Sequence, residues 1–121
     1  MRNEELYMAD IVEAADAIQR FLNGVDYDRY TRDEILRSAV LHKLTIIGEA
    51  TSRLSKARKD KHPDIPWQNI IGFRNIVIHA YFAVDWDVIW NTATVRAPEL
   101  RNRLAQIIKD EFGAPPVPPV A

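Results

Sequence analysis

The chain of 121 residues contains no cysteine. A disulfide, a thiol nucleophile and a Cys-based metal site are excluded, and the redox compartment is left unconstrained. Neither charge is in excess: 16 Lys and Arg stand against 17 Asp and Glu, a net charge of -1. This excludes a protein coated in positive charge for nonspecific nucleic-acid binding, but not a local basic patch. No uninterrupted apolar run approaches membrane-spanning length. The opening residues, MRNEELYMAD, begin with charges and hold no apolar signal-peptide core, so a soluble cytoplasmic protein is the expectation. The three histidines, His42, His62 and His79, are too scattered to form a metal site, and no cofactor is expected.

Hydrophobic residues make up 47%, enough for a core, and the length is that of one ordinary domain. The pattern divides into a helical domain over 1–112 and a tail over 113–121. The tail, Gly113 to Ala121, holds four prolines and is predicted to be extended and disordered. Four helices are predicted, and no strand pattern competes. The first runs from about Glu4 to Asn23, with Met8, Ile11, Val12, Ala15, Ile18, Phe21 and Leu22 at helical spacing and Asn23-Gly24 as a stop. The second begins with a capping box, Thr31-Arg32-Asp33-Glu34, and runs to about Lys59. Leu36, Val40, Leu44, Ile47 and Leu54 form its main stripe. Ile35, Ala39 and Ile46 widen it to a second face, which calls for a central position or a second partner. The third helix starts at Pro66 and reaches His79 or beyond. The fourth runs from an N-cap at Asp85 to about Phe112. Ile89, Ala93, Ala97, Leu100, Leu104 and Ile107 keep register across Pro98, so a kinked helix is expected rather than two unrelated ones. Short connections between four helices predict an all-α, up-down four-helix bundle.

The third helix carries an anomaly. On a helical wheel, Trp67, Ile70, Ile71, Val77, Ile78 and Tyr81 gather on one side, and Arg74 falls in the middle of that apolar arc. Gln68, Gly72, Asn75 and His79 form the opposite face. A guanidinium there is costly unless it is paired or reaches solvent. Two readings stand: Arg74 pairs with an acid such as Glu49 or snorkels to the surface, or it projects into an anion-binding cleft. Arg74 and His79 are five residues apart, about 140° on an ideal helix, so a shared site needs a distorted helix end or a wide cleft.

The string Arg74-Asn75, three residues, His79-Ala80-Tyr81 resembles the Arg-x4-His-x-Tyr motif of the HEPN superfamily, specifically the HepT-like toxins. Ile47-Gly48-Glu49-Ala50, Ile65-Pro66-Trp67 and Phe82-Ala83-Val84-Asp85 are similar to that family as well. The resemblance extends from the first helix to about Phe112. It implies a metal-independent endoribonuclease toxin that forms a homodimer with the motif at the subunit interface. It also implies a minimal nucleotidyltransferase antitoxin of the MntA type, as in type VII-like toxin-antitoxin pairs, which attaches AMP to the motif tyrosine, here Tyr81.

The residue types suit such chemistry. Cleavage of RNA by its own 2′-OH needs a base, an acid and stabilisation of charge on phosphorus. His79 can serve as base or acid because an unperturbed imidazole changes charge near neutral pH, Arg74 offers a permanently charged fork for phosphate, and Asn75 is a hydrogen-bond donor. Acid and base are two roles, and a two-fold dimer would bring two copies of His79 into one cleft. Glu49 and Arg53 are spaced for a salt bridge, with orientation of Arg74 as the alternative role of Glu49. Arg53, Lys56, Arg58, Lys59 and Lys61 make a basic run that either complements a helix dipole or tracks RNA phosphates. The competing function is a noncatalytic helical module that dimerises, holds a nucleotide and partners a nucleotidyltransferase.

Overall fold

Short polar side chains open the helices. In the computed structural model, which describes residues 3–75 and 83–113, α1 (Glu4–Leu22) is capped by Asn3, whose side chain accepts the Leu6 amide at 3.1 Å. Asp26 caps the short α2 (Tyr27–Arg32), Asp33 caps α3 (Glu34–Ser52), and Ser55 caps the short α4 (Lys56–Asp60). Each satisfies an amide that the first helical turn leaves free. The next helix, α5 (Trp67–Ile71), follows Pro66, which sits one residue before the helix rather than inside it. Asp85 caps α6 (Trp86–Asn91) as expected, accepting the amides of Asp87 and Val88. A π-helical turn (Thr92–Arg96) leads into α7 (Ala97–Phe112), which Gly113 ends in the left-handed conformation at φ 78°.

Both boundaries of the second predicted helix differ from the sequence reading. The capping box at Thr31 does not form. Thr31 donates its hydroxyl to the Asp28 carbonyl at 2.8 Å, inside a separate turn of helix that Asp26 has already capped. The cap two residues later is Asp33, whose carboxylate accepts the Leu36 amide at 3.0 Å. A carboxylate suits the positive end of a helix better than a hydroxyl does. The second predicted helix also stops at Ser52 instead of about Lys59. Ser55 turns the chain because its hydroxyl caps Arg58 and its own amide is taken by Glu4 of α1.

Pro98 has the expected consequence in a specific form. A proline has no N–H and its ring crowds the carbonyl four residues back. The widened turn at Thr92–Arg96 absorbs both defects, and the helix continues. Ile89, Ala93, Ala97, Leu104 and Ile107 remain on one buried stripe across it, with Leu100 packed alongside.

The architecture is an all-α bundle, and no strand occurs among the described residues. Its central helix is α1, not the second long helix: α1 packs against both α3 and α7 and buries Met8, Ile11, Val12, Ala14, Ala15, Ala17 and Ile18. Alanines on α1 let its neighbours approach closely. From α3, Val40, Leu41, Leu44 and Ile47 complete the core. Among the described residues the second apolar face of α3 is only partly covered: Ile35 is 85% exposed, Ala39 is half-buried, and Ile46 packs at the edge of the core. At the far end, Tyr30 pins α2 to α6. Its hydroxyl donates to the Trp86 carbonyl at 2.9 Å, its ring lies 4.8 Å from Trp90, and burial pushes its phenol up to about 12.

Candidate functional site

The third predicted helix begins as α5 and turns at Gly72, after which residues 73–75 are again helical. It is held against α3 at Gly48. A β-carbon at that position would stand 2.9 Å from the Ile70 carbonyl oxygen and 3.0 Å from the Arg74 amide nitrogen. Glycine in a helix interior costs about 1 kcal/mol relative to alanine. Here its missing side chain lets two backbones touch and brings Arg74 beside the next residue of α3, Glu49.

Glu49 joins two arginines. Arg53, the C-cap residue just past α3, donates Nε and Nη2 to Glu49 Oε1 at 3.1 and 2.9 Å. Glu49 Oε2 faces Arg74 Nη1 at 3.6 Å, an ion pair rather than a hydrogen bond. The Arg74 side chain is 41% exposed, so the charge predicted inside an apolar arc reaches solvent and meets Glu49 there. Both parts of the first reading of Arg74 hold: it pairs with Glu49 and it reaches the surface. Asn75 is exposed, and its amide donates to the Gly72 carbonyl at 3.1 Å. His79 and Tyr81 lie outside the described residues.

The basic run separates into unlike members. Lys56 pairs with Asp60 on the surface, at 2.7 Å with the lysine 89% exposed. Lys59 is half-buried, and Lys61 stands 3.8 Å from Glu111. Arg58 turns inward. Its guanidinium, 17% exposed, meets Glu4 at 3.2 Å and also Glu111, and lies 4.9 Å from the Phe112 ring centre. His62 completes this cluster with Nε2 2.7 Å from Glu111. Arg58 thus ties α1, α4 and α7 together, while Lys56 and Lys61 keep their charges at the surface. The basic spacing on the chain gives no warning of this, because Glu4 and Glu111 are more than fifty residues away in sequence.

His42 is exposed on the open face of α3. Among the described residues, no group of three or more His, Asp or Glu side chains is placed to share a metal ion. None of the helices among them is long and apolar enough to cross a membrane.

The sequence comparisons agree with this architecture. The family described as "Ribonuclease HepT-like" matches residues 11–107. A Methanocaldococcus jannaschii protein named "Putative RNase MJ1216" is 34% identical over 112 residues, covering 93% of each chain. A Caldanaerobacter subterraneus subsp. tengcongensis protein named "Putative RNase TTE0752" is 32% identical, covering 92% of this chain and 99% of its own. A Thermococcus cleftensis protein named "Probable ribonuclease HepT" is 34% identical over 108 residues, covering 89% of this chain and 98% of its own. No solved structure matches the chain. The chain belongs to the HepT-like ribonuclease family of HEPN proteins.

Proposed function

We propose that the chain is a metal-independent endoribonuclease toxin whose cleft is built from the Arg74, Asn75, His79 and Tyr81 motifs of two subunits. Family membership supports the ribonuclease activity. The observation that carries the assignment of the site is the standing of Arg74: the backbone is fixed at Gly48, while the guanidinium is part-exposed and only loosely paired. Such a group can bind a phosphate by a charge-assisted fork without first breaking a strong internal bond. His79 moves protons to and from the 2′-OH and the leaving 5′-oxygen, and the second His79 of a dimer supplies the complementary role. The part-exposed apolar face of α3, with Ile35 exposed and Ala39 half-buried among the described residues, supports an interface between two copies. Lys56, Lys59 and Lys61 extend the phosphate track, with Arg58 occupied inside the fold. A minimal nucleotidyltransferase antitoxin adds AMP to Tyr81 and silences the cleft.

The test is cleavage of RNA by purified protein in EDTA. Arg74→Ala and His79→Ala should each remain folded and lose about 10²–10⁴-fold in rate, as expected for loss of a charged phosphate ligand or a positioned acid–base group. Undiminished cleavage by both variants would place the active site elsewhere.

A further inference from the structure

Arg74 is paired with a carboxylate that is itself held in place. Arg53 grips Glu49 through two nitrogens, Nε and Nη2, on the single oxygen Oε1. Both donors meet one oxygen, so Arg53 holds Oε1 and leaves Oε2 without a bond from it. Oε2 is thereby left facing Arg74 across 3.6 Å, in a contact whose two side chains are 41% and 47% exposed. The short, hydrogen-bonded contacts belong to Arg53 and the long one to Arg74. If Glu49 served to lock Arg74 away, the two-donor grip would be on Arg74.

We propose that Glu49 is a positioning residue for Arg74, with Arg53 as its anchor. The carboxylate biases the guanidinium of Arg74 toward one side of the cleft, and the long contact is surrendered when an RNA phosphate arrives. Arg53 stays with Glu49 throughout and neutralises it, so the carboxylate does not repel the incoming phosphate. Two arginines around one acid leave the cluster one positive charge in excess, which is the charge the phosphate uses. Gly48 contributes by fixing the Arg74 backbone next to Glu49, so that only the side chain has to move. The inference rests on the reading of Arg74 as the phosphate ligand of the cleft.

The experiment compares the intact protein with Glu49→Gln, Arg53→Gln and Arg74→Ala by single-turnover RNA cleavage in EDTA. The NMR signal of the Arg74 Nε–H group, assigned by its loss in Arg74→Ala, is followed alongside. Glu49→Gln keeps the shape and removes the charge. It should lower the maximal rate about three- to tenfold, leave the half-saturating RNA concentration equal or lower, and move the Arg74 signal toward that of a free arginine. A residue needed only for folding would not produce that split between rate and binding. Arg53→Gln should weaken RNA binding and slow cleavage together, because Glu49 is then neither neutralised nor anchored. It decides the matter should Glu49→Gln fail to fold. A wild-type rate for Glu49→Gln, with Arg74→Ala inactive, would overturn the positioning role. A faster Glu49→Gln would make Glu49 a restraint instead. Full activity of Arg74→Ala would remove the reading of the cleft itself, and the role of Glu49 with it, even if the NMR signal shifted as expected.

Discussion

The amide nitrogen of Arg74 lies against Gly48, 3.0 Å from where a β-carbon on that glycine would stand. The obstructing atoms are backbone, including the Ile70 carbonyl oxygen at 2.9 Å, and cannot swing aside as a long side chain would. Gly48→Ala gains about 1 kcal/mol of helix propensity. It also forces apart two packed segments, at a cost of about 1–3 kcal/mol. The expected outcome is a net loss of stability in thermal melts. Cleavage measured well below the melting point should fall more than the loss of folded protein explains, because the displaced segment carries Arg74. A Gly48→Ala protein that melts higher and cleaves normally would show that the contact has room to relax.

The bundle and the Arg74–Glu49 pair were both legible in the sequence, since each follows from helical spacing and from the need of a charge in an apolar arc for a partner. The N-cap at Asp85 and the stripe running through Pro98 were legible for the same reason: both are local patterns. What escaped depends on tertiary contacts. The break after Ser52 is decided partly by Glu4 reaching across from α1 to the Ser55 amide. Arg58 reads as one more basic residue beside Lys56 and Lys59, and only the arrival of Glu4 and Glu111 makes it structural. The capping box at Thr31 misleads because the short helix Tyr27–Arg32 is too brief to give a periodic signal of its own. Gly48 was visible as a helix-interior glycine, but its two backbone neighbours come from another segment.

The Arg58 cluster gives the fold a pH dependence. Burial works to raise the carboxyl of Glu4, but hydrogen bonds from Ser55 and Arg58, together with the Arg58 charge, outweigh it and hold it below its ordinary value of 4.5. Burial likewise works to raise Glu111, and His62 and Arg58 hold it below 4.5. Carboxyls lowered in the folded state add stability that is complete above pH 4.5 and is lost as pH falls through the lowered folded values. Arg58→Ala should therefore destabilise the protein by about 1–3 kcal/mol at neutral pH, between the values for exposed and buried pairs. The gap between the two proteins should narrow below pH 4.5 in denaturant titrations. A gap that is constant with pH would assign the effect to lost packing on Phe112.

Regulation is expected to act through Tyr81. Its phenol can accept a nucleotidyl group, and in the proposed cleft AMP on it would add bulk and a negative phosphate that compete with RNA for Arg74. Incubation with a cognate nucleotidyltransferase, ATP and magnesium should add AMP to Tyr81, located by peptide mass spectrometry, and suppress RNA cleavage. Tyr81→Phe keeps the ring and removes the acceptor, so it should remain toxic when the partner is co-expressed. Modification confined to another residue would contradict the assignment.

The chemistry assigned to the cleft leaves a mark on its products. Attack by the 2′-OH, with His79 moving the protons and Arg74 holding the phosphate, produces a 2′,3′-cyclic phosphate on one fragment and a 5′-hydroxyl on the other. The decisive measurement is the end-group analysis, by mass spectrometry, of RNA cut by the purified protein in EDTA. Cyclic-phosphate ends that disappear in both His79→Ala and Arg74→Ala are the predicted result. Fragments ending in 3′-hydroxyl and 5′-phosphate, or cleavage that requires added metal, would contradict it.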